Sequence, residues 1–101
     1  MKARLDFLAE QDVVEYAVWY HTQSPVSSVR FLQAIEAFRE QLSLLPRMYG
    51  RVPNPPKGRE VLQGMLYGFP FDVVYEILAN EIVIVDVSHA KMKRRPWRNR
   101  L

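Results

Sequence analysis

Two apolar segments leave this chain little choice of fold. Residues 71–78 and 82–88 are dominated by Val, Ile, Phe and Tyr, with only Ala79-Asn80 and Glu81 between them. Branched and aromatic side chains suit a pleated, packed surface. Asn80 tolerates a left-handed backbone, so the pair reads as a β-hairpin with a two-residue loop at Ala79-Asn80. That loop pairs Tyr75 with Ile84 and Ile77 with Ile82. Strict alternation then puts Phe71, Val73, Tyr75, Ile77, Ile82 and Ile84 on the core face, and His89 on the opposite face with Val85 and Val87. Asp86 falls on the core face in this register, where a carboxylate needs a cationic or hydrogen-bonding partner.

The preceding residues read as support for that hairpin. Residues 2–7 alternate weakly and suit an edge strand. Residues 9–22 carry Val13, Ala17 and Tyr20 at helical spacing, with Val14 and Val18 widening the stripe. Glu10 and Asp12 open this helix and His21 closes it, as the helix dipole prefers, so His21 reads as a surface residue. Ser24 suits a cap and Pro25 the first position of a second helix. Val29, Leu32, Ile35, Phe38, Leu42 and Leu45 form its stripe, Arg30, Glu36, Arg39 and Glu40 its wet side, and Pro46 its end. The short link makes the two helices an antiparallel hairpin.

Residues 46–58 hold four prolines and two glycines and read as a loop, long enough to be of functional interest, with cations at Arg47, Arg51 and Lys57. Residues 59–66 suit a strand, with Gly64 at a bulge or close approach, and Tyr67-Gly68 turns the chain into the hairpin. The expected fold is α+β in one domain, residues 1–101. It comprises an N-terminal strand, an antiparallel helical hairpin, and a three-stranded antiparallel β-meander packed on it. The sheet face carrying His89 and Val85 is expected to stay partly open as a docking surface.

Composition narrows the function. There is no Cys, which excludes disulfides and thiolate chemistry, and the two His lack metal-ligand spacing, so neither metal nor cofactor is expected. No apolar run approaches the roughly 20 residues that span a bilayer. The N-terminus lacks a signal-peptide core, so a cytoplasmic protein with no membrane association is expected. The net charge of +3 is unevenly spread: residues 89–101 hold Lys91, Lys93, Arg94, Arg95, Arg98 and Arg100 and no acid, while residues 1–88 carry net −3. Such a basic tail suits an acidic or polyanionic partner; its bland alternative is pairing with Glu60, Asp72, Glu76 and Asp86.

An ordered set of short motifs runs through nearly the whole chain: Ala9-x-x-Asp12, Pro25 with Phe31-Leu32, Leu42 to Pro46 with Gly50, Phe69-Pro70-Phe71 with Val74-Tyr75, Val87-x-His89, Arg94 and Trp97-x-x-Arg100. In this order they resemble the RelE/ParE superfamily of bacterial type II toxin–antitoxin toxins, closest to the ParE-like members called plasmid stabilisation proteins. The resemblance implies the same fold, a growth-inhibiting activity, and a cognate antitoxin protein that wraps the helical hairpin and the open sheet face. It also implies a toxin–antitoxin hetero-oligomer.

Two mechanisms follow from the resemblance. A ParE-like toxin binds DNA gyrase and needs only a complementary surface, for which the tail residues Lys91, Lys93, Arg94, Arg95, Trp97, Arg98 and Arg100 are candidates. A RelE-like toxin cleaves mRNA on the translating ribosome, and that chemistry needs a base, an acid and phosphate-binding cations. His89 is the candidate acid or base. Arg59 and Arg94 are candidate phosphate ligands, and Glu76 is a candidate base if it shares a face with His89. The bland readings are a structural His89, a core Tyr75, and a Trp97 that anchors the tail rather than stacking on a base. No Tyr follows Tyr75 and Arg59 is nearly alone among strand cations, which favours the ParE-like reading. A non-catalytic binding module or inactive toxin relic is the third alternative.

Overall fold

The computed structural model describes residues 1–92 and 96–101. The elements run β1 (Lys2–Leu5), α1 (Phe7–Gln23), α2 (Pro25–Leu44), β2 (Gly50–Arg51), β3 (Glu60–Met65), β4 (Phe71–Ile77), β5 (Glu81–His89) and a 3-10 helix (Pro96–Arg100). The strands form one sheet in the order β1-β5-β4-β3-β2. The meander β3-β4-β5 is antiparallel as expected. β1 instead joins β5 in parallel, so the sheet is mixed. The extra strand β2, inside the proline-rich loop, is only two residues long and gave no periodic signal.

Each helix buries a narrower stripe than its apolar residues suggest. α1 buries Ala9, Val13 and Ala17, and α2 buries Phe31, Ile35, Phe38 and Leu42. Val14, Val18, Val29, Leu32 and Leu45, counted with the core by spacing, are exposed instead. In their place Ser28 turns inward and donates to the Ala17 carbonyl at 2.8 Å, tying α2 to α1. Ser24 occupies the N-cap without a side-chain hydrogen bond, and Pro25 takes the first turn. The core is dominated by aromatics: Phe31 meets Tyr16, Tyr20, Phe69 and Phe71 at centroid distances of 6.4, 5.3, 5.6 and 5.2 Å. Tyr75 is buried, and its hydroxyl donates to the Pro46 carbonyl at 2.7 Å. Burial pushes that phenol up to about 12. Gly64 marks a close approach: a Cβ there would stand 2.7 Å from the Tyr49 ring, which stacks on Phe38.

The hairpin register matches expectation up to Ile84 and departs beyond it. Tyr75 pairs with Ile84 and Ile77 with Ile82, but Val74 pairs with Asp86, leaving Val85 as an extra residue. Such a bulge reverses the alternation of everything after it. Val87 therefore joins the helix-side core, against the expectation that set it on the other face. Asp86 moves to the face opposite the helices. His89, expected on that opposite face, lies on the helix side with its ring 5.5 Å from Phe71. The two-residue turn at Ala79-Asn80 is as expected, closed by Leu78 N–H donating to the Glu81 carbonyl at 2.8 Å, although Asn54, not Asn80, is the non-glycine residue with positive φ among the described residues.

The second sheet face is not open. Val61, Val74, Val83 and Val85 form a cluster with Val52 and Trp97, and Leu101 packs against it. A row of exposed valines would cost roughly 1.5–3 kcal/mol each in forgone burial, so the C-terminal turn folds back over them.

Candidate functional site

The bulge determines where each candidate side chain ends up. β1 covers the edge of β5 only as far as Ile84, whose carbonyl accepts from Asp6 N–H at 2.8 Å. Past that point Val85 O and Val87 N would face no strand. Arg100 Nη1 donates to Val85 O at 3.0 Å, and Val87 N–H donates to Asp12 Oδ2 at 3.1 Å. Arg100 also grips both Asp12 oxygens, at 2.6 and 3.1 Å, and Asp86 Oδ1 at 3.2 Å. Ser88 Oγ donates to the Asp86 carboxylate. Burial raises the Asp86 carboxyl above its ordinary value, opposed by Ser88 and Arg100. Asp12 holds the Arg100 guanidinium firmly charged. Asp86 thus has the cationic partner that its type demanded, supplied by the tail 14 residues further on.

The tail candidates divide accordingly. Trp97 is buried in the valine cluster, and Arg100 is committed to the clamp. Arg98 donates to the carbonyls of Pro53 and Asn54 at 2.8 and 3.0 Å, with its guanidinium 4.4 Å from the Trp97 ring centroid. These three hold the tail down. Lys91 is exposed, and its backbone N–H donates to His89 Nδ1 at 3.1 Å. Lys93, Arg94 and Arg95 lie outside the described residues.

Among the described residues, the candidate nuclease residues Arg59, Glu76 and His89 are not all brought together. Arg59 and Glu76 form a bidentate pair at 2.6 and 2.7 Å. Glu76 pairs across with Val83, on the valine face, whereas His89 lies on the helix face. Glu76 therefore does not share a face with His89, because the bulge between them switches the parity. Arg47 and Glu60 form a second bidentate pair near Arg59, at 2.6 and 2.8 Å, which lowers the Glu60 carboxyl. Among the described residues no group of three or more His, Cys, Asp or Glu could hold a metal ion.

Two features escaped sequence reading. One is the clamp itself, although Asp12 and Arg100 both stand in motifs quoted above. The other is a cavity of about 480 Å³ lined by Glu15, Tyr16, Trp19, Tyr20, Pro70, Phe71 and His89. The run of aromatics in α1 was its only trace in the sequence.

A family model described as ParE toxin of type II toxin-antitoxin system, parDE, matches residues 4–94. This chain belongs to the ParE toxin family. The family toxin accordingly implies a cognate antitoxin partner. A solved structure described as the chromosomal ParDE TA system from P. aeruginosa is similar in fold, at a TM-score of 0.61 and 21% identity, covering 90% of this chain and 97% of that one. No curated protein matches the chain. In this ParE-family toxin no helix among the described residues is long and apolar enough to cross a membrane.

Proposed function

We propose that this ParE-family toxin arrests growth by binding DNA gyrase and is neutralised by a ParD-type antitoxin. The observation that carries the reading is the separation of His89 from the Arg59–Glu76 pair by the thickness of the sheet. Cleavage of RNA next to a 2′-hydroxyl needs an acid and a base on the two sides of one phosphate, within hydrogen-bond reach. Here Glu76 is neutralised by Arg59 on one face and His89 sits against aromatics on the other. Binding to gyrase makes no such demand. It needs only a complementary surface, for which the tail cations Lys91, Lys93, Arg94 and Arg95 are the candidates, with Trp97, Arg98 and Arg100 acting as anchors rather than as contacts. The exposed Val14, Val18, Val29 and Leu32 of the helical hairpin suit an amphipathic antitoxin segment.

The test combines purified protein and cells. Gyrase supercoiling should be inhibited by the toxin, with accumulation of cleaved DNA. Induction in bacteria lacking the antitoxin should bring a DNA-damage response with intact messages. New mRNA ends within translated codons, with gyrase unaffected, would replace this reading with the nuclease one. Inertness in both assays would make the chain a relic.

A further inference from the structure

We infer that the aromatic cavity between α1 and the end of β5 is a receptor for a single arginine side chain presented by a partner protein. Its walls are Tyr16, Trp19, Tyr20 and Phe71, with Pro70 and His89 completing them and Glu15 contributing the one carboxylate among the described lining residues. Tyr16 and Phe71 meet edge to face at 4.5 Å, and Trp19 and Tyr20 at 5.0 Å, so the rings brace one another and the hollow is preformed. A volume of about 480 Å³ far exceeds an ammonium group and accommodates a guanidinium with its methylene stem.

The charge pattern selects the occupant. α1 carries Glu10, Asp12 and Glu15 and no Lys or Arg. Asp12 is engaged by Arg100, but Glu15 makes no ion pair or hydrogen bond with any described residue. A second hollow along the same helix, lined by Phe7, Glu10, Gln11, Val14 and Glu15, meets the first at Glu15 and adds another carboxylate. Aromatic faces attract cations through their quadrupoles, and a carboxylate at the lip adds directional hydrogen bonds. Arg fits better than Lys because its plane stacks on Trp and Tyr while its fork meets the carboxylate. The same chemistry already operates within the molecule, where the Arg98 guanidinium lies over Trp97. A partner segment lying along α1 would set its arginine between Trp19 and Glu15. The inference rests on the family reading of a toxin that works through protein partners, and its test involves neither gyrase nor RNA, so the two readings fail separately.

The experiment titrates the isotopically labelled full chain with N-acetyl-arginine N-methylamide, using N-acetyl-norleucine N-methylamide as the apolar control. The two indole N–H signals report on Trp19, which is exposed, and Trp97, which is buried on the other sheet face. The arginine probe should shift the Trp19 signal saturably and leave Trp97 unmoved, and norleucine should bind at least severalfold more weakly. Glu15→Gln should weaken the arginine probe about two- to fivefold, and Trp19→Ala should abolish its binding. Both residues are exposed, so both variants keep the fold. Equal binding of the two probes, indifference to Glu15→Gln, or the absence of any Trp19 shift would each overturn the proposal. Equal binding would make the cavity a seat for an apolar side chain.

Discussion

The two faces of the sheet are closed by different physics. On the helix side, α1 and α2 lay a cluster of large aromatics over Phe71, Val73, Tyr75, Ile82 and Ile84, and the closure is almost wholly apolar. On the other side, a small patch of valines is covered by one indole and one terminal leucine. That cover is five residues of 3-10 helix, too short to be stable alone. It is held by ions: Arg100 bridges Asp12 of α1, Asp86 of β5 and a bare strand carbonyl, and Arg98 ties the tail to the loop at Pro53 and Asn54. Where enough apolar area exists, shape suffices. Where it does not, a charge network inserted at a strand irregularity does the fastening.

This contrast is open to direct attack. The largest effect is expected from Phe31→Ala, which empties the centre of the aromatic cluster and should cost about 3–5 kcal/mol in urea unfolding. Arg100→Ala leaves the buried Asp86 and the partly buried Asp12 without their cation, and should cost roughly 2–4 kcal/mol. Its signature should be local as well: Trp97 fluorescence should shift red and become quenchable while the helical circular dichroism persists. A loss equal to that of Phe31→Ala, with both faces melting together, would break the distinction. Gly64→Ala should cost about 1–3 kcal/mol, because the new methyl must displace a Tyr49 ring already stacked at 5.2 Å on Phe38.

The smallest effect concerns acidity. Burial raises the Asp86 carboxyl above 3.8, outweighing Ser88 and Arg100. The folded state therefore holds this proton more tightly than the unfolded chain, so the contribution of Asp86 to stability falls as pH rises from about 3.8 through the raised value. Glu36 and Glu60 act in the opposite sense, since hydrogen bonds from Arg39 and Arg47 lower them; their support is present above 4.5 and lost in acid. Asp86→Asn should abolish only the first trend. The difference in urea midpoint between wild type and variant, followed from pH 3.5 to 6, should drift against the wild type as pH rises. A flat difference would show that Asp86 titrates as it does unfolded.

The parts legible from the residues were those governed by local spacing. Ser24-Pro25 placed the helix junction, and Phe31, Ile35, Phe38 and Leu42 placed the face of α2 on the core. Ile77 opposite Ile82 placed the hairpin register. Illegible were the events in which one residue changes what distant residues mean. Val85 looks like any other strand valine, yet as the unpaired residue of a bulge it sends His89 to the helices and Asp86 to the tail. That single irregularity dissolved the His89–Glu76 grouping and created the Asp12–Arg100 clamp. The aromatic cavity was illegible for a related reason: Tyr16 and Trp19 come from α1, Phe71 from β4 and His89 from β5, and only their packing leaves a hollow between them.

The sequence by itself determined the strand–helix–helix–meander order, the basic end of the chain and membership of the ParE toxin family. Periodicity, turn chemistry and charge act between near neighbours, and ordered motifs survive without reference to space. Tertiary structure decided which face each late residue of β5 occupies, which tail cations are spent inside the molecule, and where a cavity opens. Those outcomes depend on a strand edge left uncovered beyond β1 and on a buried carboxylate, Asp86, that must find a cation, and the clamp that meets both needs joins Asp12 near one end of the sequence to Arg100 near the other.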